Sequence, residues 1–275
     1  MQLTPPGDLR NVLVAMSDMP KLYERVFQYR FDKTDGALAG HPLGNLIIAG
    51  ISEMQGSTYN AMQLLTKFFH VTGKIYPASE TALTLHAVFQ DGHEVAGESS
   101  IAQYDGMIER VYVTNTYNDE EPKASRKVVD AIMNSDMIVL GPGSLYTSIL
   151  PNLVIPEIRQ ALIETKADVT YICNIMTQYG ETEQFSDADH VAVLNRHLGS
   201  DVIDNVLVNI KKVPKEYMLV INLMNTLFRL SMILRGYVVK LKQLCLLIFC
   251  DLKMVVPSHG DLVVDELMHL VRNKS

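Results

Sequence analysis

Short apolar runs alternate with amphipathic stretches along the first two-thirds of this 275-residue chain, and this alternation constrains its fold more than any other feature. Apolar runs of strand length predict buried strands, whereas apolar residues at helical spacing predict helices. Strand–helix alternation is typical of an α/β fold with a largely parallel sheet. The predicted strands cover residues 81–101 (a hairpin turning at Asp91-Gly92), 109–116, 136–140, 168–175 and 202–210. The predicted helices cover 58–71, 124–135, part of 148–165 and 187–199, and the apolar run 45–52 leads into the first of them.

Composition and charge exclude several classes of protein. The net charge is -7 and no basic stripe is visible, which argues against a nucleic-acid partner. Cys173, Cys245 and Cys250 form no disulfide framework, so we expect a reducing, cytoplasmic setting. The amino terminus lacks a signal-peptide pattern, and no uninterrupted apolar run reaches the roughly 18 residues of a membrane span. We therefore expect no stable membrane insertion.

The stretch MIVLGPGSLYTSILPN (137–152) is the strongest candidate for a ligand site. In a parallel sheet, ligands bind beyond the carboxyl ends of the strands, and Gly141 and Gly143 stand where such a strand ends. Glycines allow close approach to the main chain, free N–H groups there form an anion cradle, and Ser144 and Thr147 can donate to phosphate oxygens. The alternative is a plain strand-to-helix turn, which also favours Gly, Pro and Ser.

The next strand end repeats this polar pattern. The segment YICNIMTQYGET (171–182) places Asn174 and Thr177, followed by Gly180 and Thr182, where a second arm of the same ligand site is expected.

Several long motifs, in order, resemble one family. The segments 5–18 (PPGDLRNVLVAMSD), 40–51 (GHPLGNLIIAGI), 141–162 (GPGSLYTSILPNLVIPEIRQAL), 187–199 (DADHVAVLNRHLG) and 259–267 (HGDLVVDEL) are similar to the gluconeogenesis-factor branch of the 2-phospho-L-lactate transferase (CofD-like) superfamily. The resemblance covers residues 3–218 and 259–270.

The resemblance implies a Rossmann-like, three-layer α/β/α core that binds a small nucleotide-type ligand, with UDP-sugars such as UDP-N-acetylglucosamine the expected class. It implies a cytoplasmic role in growth on gluconeogenic carbon and in cell shape, and a homodimer. The alternative is the transferase branch, which moves a lactyl-phosphate group onto a deazaflavin precursor with a divalent metal as cofactor. Whether the chain is an enzyme stays open.

The resemblance also supplies candidate residues in two further motifs. In PPGDLRN, the candidates are Asp8, Arg10 and Asn11, and Asp8 or Arg10 would meet a metal or a phosphate. The alternative for these two is a surface salt bridge or a helix cap. In GHPLGN, His41 and Asn45 stand at a junction between a loop and a helix or strand, and His41 would face the ligand or cap the turn.

The sequence assigns no catalytic residue and no metal ligand. Cys173 lies within a predicted strand, where a cysteine is more often core than nucleophile. No Ser/His/Asp order and no metal-spaced His/Cys cluster stands out along the chain.

The chain departs from the family pattern at its amino terminus. Family members begin with a strand and a glycine-rich, GGGTG-like loop, followed by an acidic, DDGG-like loop, and this sequence starts at MQLTPPGD, after both. We therefore expect residues 1–218 to form a ligand-binding core that lacks its first strand and glycine-rich loop.

The second departure is residues 219–258, an apolar segment with one acidic residue, Asp251. Reading each new codon as the last base of one codon and the first two of the next turns Met224-Asn225 into glutamate and Met232-Ile233 into aspartate. The shifted strings resemble the family's own carboxyl-terminal region, so the segment is predicted to be frame-shifted and this copy impaired. The alternatives are a buried helical pair or a membrane hairpin, the latter interrupted by Arg229, Arg235, Lys240 and Lys242. The family likeness resumes at 259–275, the predicted last helix of the core.

Overall fold

The structure is a computed structural model that describes residues 7–18, 20–32, 34, 36–209, 264 and 267–270, with Gly7 and Asp8 as main chain only. The described part of the chain begins with the α-helices α1 (Gly7–Met16), α2 (Lys21–Gln28), α3 (Leu43–Gln55) and α4 (Thr58–Phe68), with a 3-10 turn at Gly36–Leu38 between α2 and α3. They enclose an apolar cluster of their own, and its buried members are Leu13, Phe27, Ile48, Met62, Leu65 and Ile75. The run 45–52 is therefore helix α3 and not a strand of the predicted alternation.

Local signals fix the ends of these helices. Helix α3 begins after Pro42 and ends at Gly56, which adopts the left-handed conformation that glycine tolerates. Helix α4 is capped by Ser57, whose side chain accepts a hydrogen bond from the Asn60 N–H. The Glu80 carboxylate accepts further bonds from the first N–H groups of α4, where negative charge is favourable.

An antiparallel sheet follows, formed by β1 (Leu83–Phe89), β2 (Glu94–Ala96) and β3 (Ile108–Asn115) in the order β2-β1-β3. Gly92 has a positive φ of 85°, as the predicted hairpin turn requires. The short helix α5 (Glu98–Ile101) replaces the end of the predicted second strand. Among the described residues these strands pair only with one another, so the hairpin and β3 form a separate sheet and not an excursion from the parallel one.

The parallel sheet is formed by β4 (Met137–Leu140), β5 (Asp168–Ile172) and β6 (Asn205–Leu207) in the order β4-β5-β6. Helix α6 (Arg126–Met133) precedes β4. The crossovers carry α7 (Leu150–Leu153) and α8 (Pro156–Glu164) between β4 and β5, and α9 (Asp187–Leu198) between β5 and β6. Strands joined through helices in this way confirm the predicted α/β fold with a parallel sheet. Val139 of β4 is 39% exposed, since β4 is an edge strand among the described residues; this strand is less buried than the sequence predicts.

One large core joins the two sheets. It includes the buried side chains Leu85, Phe89, Val111, Tyr146, Leu150, Leu162, Val169, Tyr171 and Leu194. Helix α9 is tied to the antiparallel sheet at His197, whose Nε2 accepts a hydrogen bond of 3.1 Å from the Val111 N–H. The Arg196 guanidinium also donates to the Glu109 carbonyl at 2.8 Å. These contacts hold the two sheets in a fixed relation.

The segment 219–258 lies outside the described residues, and the proposed division at 218 and 258 stays a prediction. Of the predicted last helix, Val264 and residues 267–270 are described, and they are helical. Within the part of the chain that the structure describes, no helix combines the length and the apolar character needed to cross a membrane.

Candidate functional site

The candidate site is built on the sharp turn that follows β4. Gly141 has a φ of +87°, and a Cβ atom placed there would stand 3.0 Å from the Ile172 carbonyl oxygen. Only glycine fits this conformation and this close approach of two strand ends. A π-helical turn, Leu145–Ile149, follows directly, with the Ser144 carbonyl accepting bonds from the Ser148 and Ile149 N–H groups. Such turns are frequent at functional sites.

Asn174 joins the end of β5 to this turn. Its side-chain oxygen accepts a hydrogen bond from the Gly143 N–H at 3.2 Å, and its side-chain nitrogen donates to the Gly143 carbonyl at 2.7 Å. The Asn174 side-chain amide thus links the two strand ends, because it makes the same pair of hydrogen bonds to Gly143 as the main chain of a neighbouring strand would. The Gly143 N–H, which the sequence predicts to be free for an anion, is already paired in this structure.

A polar network continues from Ser144 in the first loop (residues 141–148, after β4) into the second loop (residues 174–182, after β5). The Ser144 hydroxyl donates to Gln178 Oε1 at 2.7 Å, and Gln178 Nε2 donates to Glu181 Oε1 at 2.8 Å. The Thr147 hydroxyl donates to the same carboxylate oxygen at 2.9 Å, and the Tyr146 N–H reaches Glu181 Oε2 at 3.4 Å. The first loop is therefore held to the second by one shared carboxylate.

Glu181 is a buried carboxyl group at the centre of this network, with 5% of its surface exposed. Burial raises the pKa of Glu181, while the Thr147 hydroxyl and the Tyr146 N–H act in the opposite direction. The nearby Glu98 carboxylate raises the pKa of Glu181 further. Neither residues 141–152 nor residues 174–186 contain a lysine or an arginine, so these loops themselves contribute no basic side chain.

Cys173 lies one residue beyond β5 and is 5% exposed. Its thiol donates to Asp187 Oδ1 at 3.1 Å, at the first turn of α9. Burial, and then the Asp187 carboxylate, raise the pKa of Cys173 to about 11. The thiol is therefore protonated near neutral pH, which is consistent with the predicted structural role and unsuited to a nucleophile.

The residues predicted from PPGDLRN lie on α1, within the helical cluster. Arg10 is 7% exposed, and its Nη2 donates to the Asn11 side-chain oxygen at 2.9 Å. Gly44 lies against it, because a Cβ atom there would meet the Arg10 side chain at 2.9 Å. Arg10 is thus packed between helices, which the sequence did not indicate. Asp8 is described only as main chain within α1.

The residues predicted from GHPLGN lie at the start of α3. His41 is exposed, and its main chain pairs with Phe31 and Leu38. The side-chain oxygen of Asn45 is buried and accepts no hydrogen bond from any residue that the structure describes. The loop-to-helix alternative for this junction is confirmed, since α3 begins at Leu43.

The candidates therefore fall into two groups. Gly141, Gly143, Ser144, Thr147 and Asn174 are brought together at the carboxyl edge of the parallel sheet, with Thr177 exposed on the second loop. Arg10, Asn11, His41 and Asn45 belong to the helical region, and no described hydrogen bond joins the two groups. Their role in ligand binding stays a prediction.

Sequence reasoning missed Gln178 and Glu181, which organise the first group. The only signal was their position after β5, in the polar segment that also contains Thr177, Gly180 and Thr182. The Gln178 N–H donates to the Thr182 hydroxyl at 2.9 Å, so the second loop is closed on itself. Polar residues in a turn resemble ordinary solvated loop, and their burial arises only from packing.

The described residues do not fit a metal site by themselves. No group of three or more His, Cys, Asp or Glu side chains within the described ranges is placed to hold a metal ion.

The described fold defines an α/β protein with two polar loops at the carboxyl edge of a parallel sheet. The family model described as "2-phospho-L-lactate transferase CofD" matches residues 1–223. The chain belongs to this family.

The similar proteins share one designation. The chain is 72% identical over 273 residues to "Putative gluconeogenesis factor" of Streptococcus pyogenes serotype M3 (strain ATCC BAA-595 / MGAS315), covering 99% of this chain and 84% of that protein. It is 45% identical over 216 residues to "Gluconeogenesis factor" of Bacillus subtilis (strain 168), covering 78% of this chain and 67% of that protein.

A solved structure agrees with the fold. The crystal structure of a UPF0052 family member from Bacillus halodurans superposes with a TM-score of 0.75 at 40% identity, covering 80% of this chain and 69% of that one.

Proposed function

We propose that this chain is a gluconeogenesis factor: a cytoplasmic regulator that binds a nucleotide-sugar of the UDP-N-acetylglucosamine type and supports growth on gluconeogenic carbon and cell shape. One observation carries the proposal. Two polar loops, 141–148 and 174–182, are held side by side beyond β4 and β5, where α/β proteins bind their ligands. The designation of the relatives supports the regulatory part.

Calorimetric titration of the whole chain with UDP-N-acetylglucosamine tests the binding. We expect saturable heat with one ligand per chain. The Bacillus subtilis relative, titrated in parallel, serves as the comparison. Absence of heat at millimolar ligand for this chain would overturn the proposal for this protein.

Substitution of Asn174 tests whether the two loops form the site. Asn174→Ala removes both bonds to the Gly143 main chain, so the turn after β4 loses its link to β5. We expect affinity for UDP-N-acetylglucosamine to fall by about tenfold or more, the equivalent of one to two buried hydrogen bonds. Asn118→Ala is the matched control, because the Asn118 side chain lies in an exposed loop and accepts a hydrogen bond from the Glu120 N–H. Equal affinities for both variants would place the site elsewhere.

A complementation assay tests the cellular role. Bacillus subtilis lacking its gluconeogenesis factor is supplied with this chain and grown on a gluconeogenic carbon source. We expect growth and rod shape to be restored, and less fully than by the Streptococcus pyogenes relative, because segment 219–258 is predicted to be frame-shifted. No restoration by this chain, with restoration by the relative, would overturn its regulatory role.

A metal-dependent 2-phospho-L-lactate transferase activity is the second candidate, favoured by the description of the matching family model. The chain is incubated with Mg²⁺, a lactyl-phosphate donor and a deazaflavin acceptor, and transfer is followed by mass spectrometry. Metal-dependent transfer supports an enzyme, and its absence leaves the binding regulator as the function.

Light scattering tests the proposed homodimer, for which we expect twice the mass of one chain.

A further inference from the structure

The direction of the hydrogen bonds at the candidate site is set by Glu181. An ionised carboxylate only accepts hydrogen bonds, so Gln178 must present its nitrogen to Glu181 Oε1, 2.8 Å away. The Gln178 oxygen then faces Ser144, whose hydroxyl donates to it at 2.7 Å. Each donor in this series thus points towards the buried carboxylate.

As a consequence, the hydroxyl groups of Ser144 and Thr147 both donate their protons to other side chains of the protein. The Thr147 hydroxyl donates to Glu181 at 2.9 Å, and the Ser144 hydroxyl donates to Gln178. The Gly143 N–H is paired with Asn174. What the hydroxyl oxygens retain are lone pairs, which accept hydrogen bonds. A ligand group that bonds the Ser144 or Thr147 hydroxyl oxygen must therefore supply the donor.

Charge points in the same direction. The loops 141–152 and 174–186 contain no lysine or arginine, while Glu181 is buried and Glu98 lies close enough to act on it. A phosphate, which carries acceptors only, would meet acceptors and a like charge in a region of reduced dielectric. A neutral pyranose ring, whose hydroxyl groups donate, meets complementary partners.

We propose that Glu181 is a positioning residue that makes this site select the hydroxyl-bearing sugar of a nucleotide-sugar and reject phosphate. The inference rests on the proposed function and deepens it, since it orients the ligand: the sugar lies at Ser144 and Gln178, and the diphosphate lies away from these loops. Glu181 acts through Gln178 and Thr147, whose donors it holds.

Binding of two probes, UDP-N-acetylglucosamine and UDP, tests the inference in the whole chain. We expect the wild type to bind the sugar nucleotide at least about tenfold more tightly than UDP, the contribution of one or two hydrogen bonds to the sugar. Glu181→Gln gives a side chain that donates as well as accepts. The hydrogen bonds from Gln178 and Thr147 then no longer have a fixed direction. The preference for the sugar nucleotide should fall about tenfold, through weaker binding of the sugar nucleotide with UDP affinity kept or raised.

Glu183→Gln is the matched control, because it removes one exposed carboxylate two residues away from Glu181. We expect it to keep the wild-type preference. Ser144→Ala is the second test variant, because it leaves the buried carboxylate in place and removes the hydroxyl at the other end of the series. Circular dichroism verifies the folding of each variant. Ser144→Ala should lower the affinity for the sugar nucleotide and leave the affinity for UDP unchanged.

The outcomes separate the two proposals. If neither probe binds, the proposed function fails. If the wild type binds both probes equally, nucleotide binding stands and the role of Glu181 is overturned. The same holds if Glu181→Gln and Ser144→Ala lower the affinity for both probes by the same factor. A lower preference in these two variants, with the preference kept in Glu183→Gln, supports it.

Discussion

At the scale of single residues, His197 shows how one side chain joins two sheets. Its Nδ1 must donate to the Val193 carbonyl at 2.8 Å, because a carbonyl only accepts. Its Nε2 must then accept from the Val111 N–H at 3.1 Å. Both bonds require the neutral ring with the proton on Nδ1. Burial lowers the pKa of His197, and the nearby Arg196 and Arg110 charges lower it further.

Stability should therefore depend on pH through His197. A base whose folded-state pKa is lowered contributes stability that is complete above its unfolded pKa of about 6.5 and is lost as pH falls through the folded value. We expect urea unfolding to show a loss on the order of 1 kcal/mol between neutral and mildly acidic pH, the worth of one hydrogen bond. His197→Gln should lack this component. An identical pH dependence in both proteins would contradict it.

Gly141 and Gly143 differ in how strictly the backbone requires a glycine. An alanine at 141 must adopt a φ of +87° with its Cβ 3.0 Å from a carbonyl oxygen, whereas at 143 the nearest atoms are 3.6 Å away. We expect Gly141→Ala to lower the free energy of unfolding by about 1–3 kcal/mol. Gly143→Ala should cost well under half as much. Denaturant midpoints measure both, and equal losses would show that Gly141 needs no special conformation.

At the scale of elements, α9 is a helix with both ends defined. Ser186 and Asp189 form a capping box at its start, and Gly199 ends it in the left-handed conformation. The same helix carries Asp187, which bonds the Cys173 thiol, and His197 at the other end. Its stability therefore supports the second loop and the junction of the sheets together.

Removal of the cap should weaken α9. Ser186→Ala deletes the side chain that accepts from the Asp189 N–H, so thermal unfolding should report a loss of about 1 kcal/mol. Ser125→Ala is the matched control, because Ser125 precedes α6 as its N-cap without a side-chain capping bond. We expect it to change stability by less than half as much. A larger loss at Ser125 would refute the assignment of the cap.

At the scale of the whole molecule, the described residues contain two apolar clusters. The helices α1–α4 enclose one, and the two sheets with α7–α9 enclose the other. Leu13 is fully buried in the first and Leu194 in the second. The Glu80 carboxylate, which bonds the start of α4, is one direct link from the chain before β1 to the helical cluster.

The two clusters should lose protection separately. Leu13→Ala should cost about 2–5 kcal/mol and raise hydrogen exchange mainly in α1–α4. Leu194→Ala should cost a similar amount and raise exchange mainly in α9, β5 and β6. Exchange measured by mass spectrometry locates each effect. A uniform increase along the chain in both variants would show that the clusters unfold as one unit.

The coding frame of residues 219–258 is predicted to be shifted, which affects the integrity of the whole chain. The coding DNA should carry two compensating insertions or deletions, near codons 218 and 259. The shifted frame between them should encode an acidic, family-like peptide. Stop codons throughout that frame would contradict the prediction and make the apolar segment an inherited part of the protein.

Much of this fold and part of its site followed from local sequence patterns. The order of strands and helices from Ser125 onwards, the turn at Gly92 and the end of α9 at Gly199 were all visible, since periodicity and glycine placement act within a few residues. The loop after β4 was visible for the same reason: Gly141 and Ser144 follow an apolar run.

Tertiary structure alone decided what those residues touch. An apolar run without clear periodicity suits either a helix or a strand, so packing against α1, α2 and α4 made 45–52 a helix. Glu181 resembles a solvated loop residue until the second loop folds over the turn and buries it against Thr147, 34 residues away. The sequence offers Arg10 as a candidate for phosphate binding, and its burial arises only because Gly44 allows α3 to pack against it. Burial and hydrogen-bond direction depend on partners distant in sequence, and no local pattern encodes them.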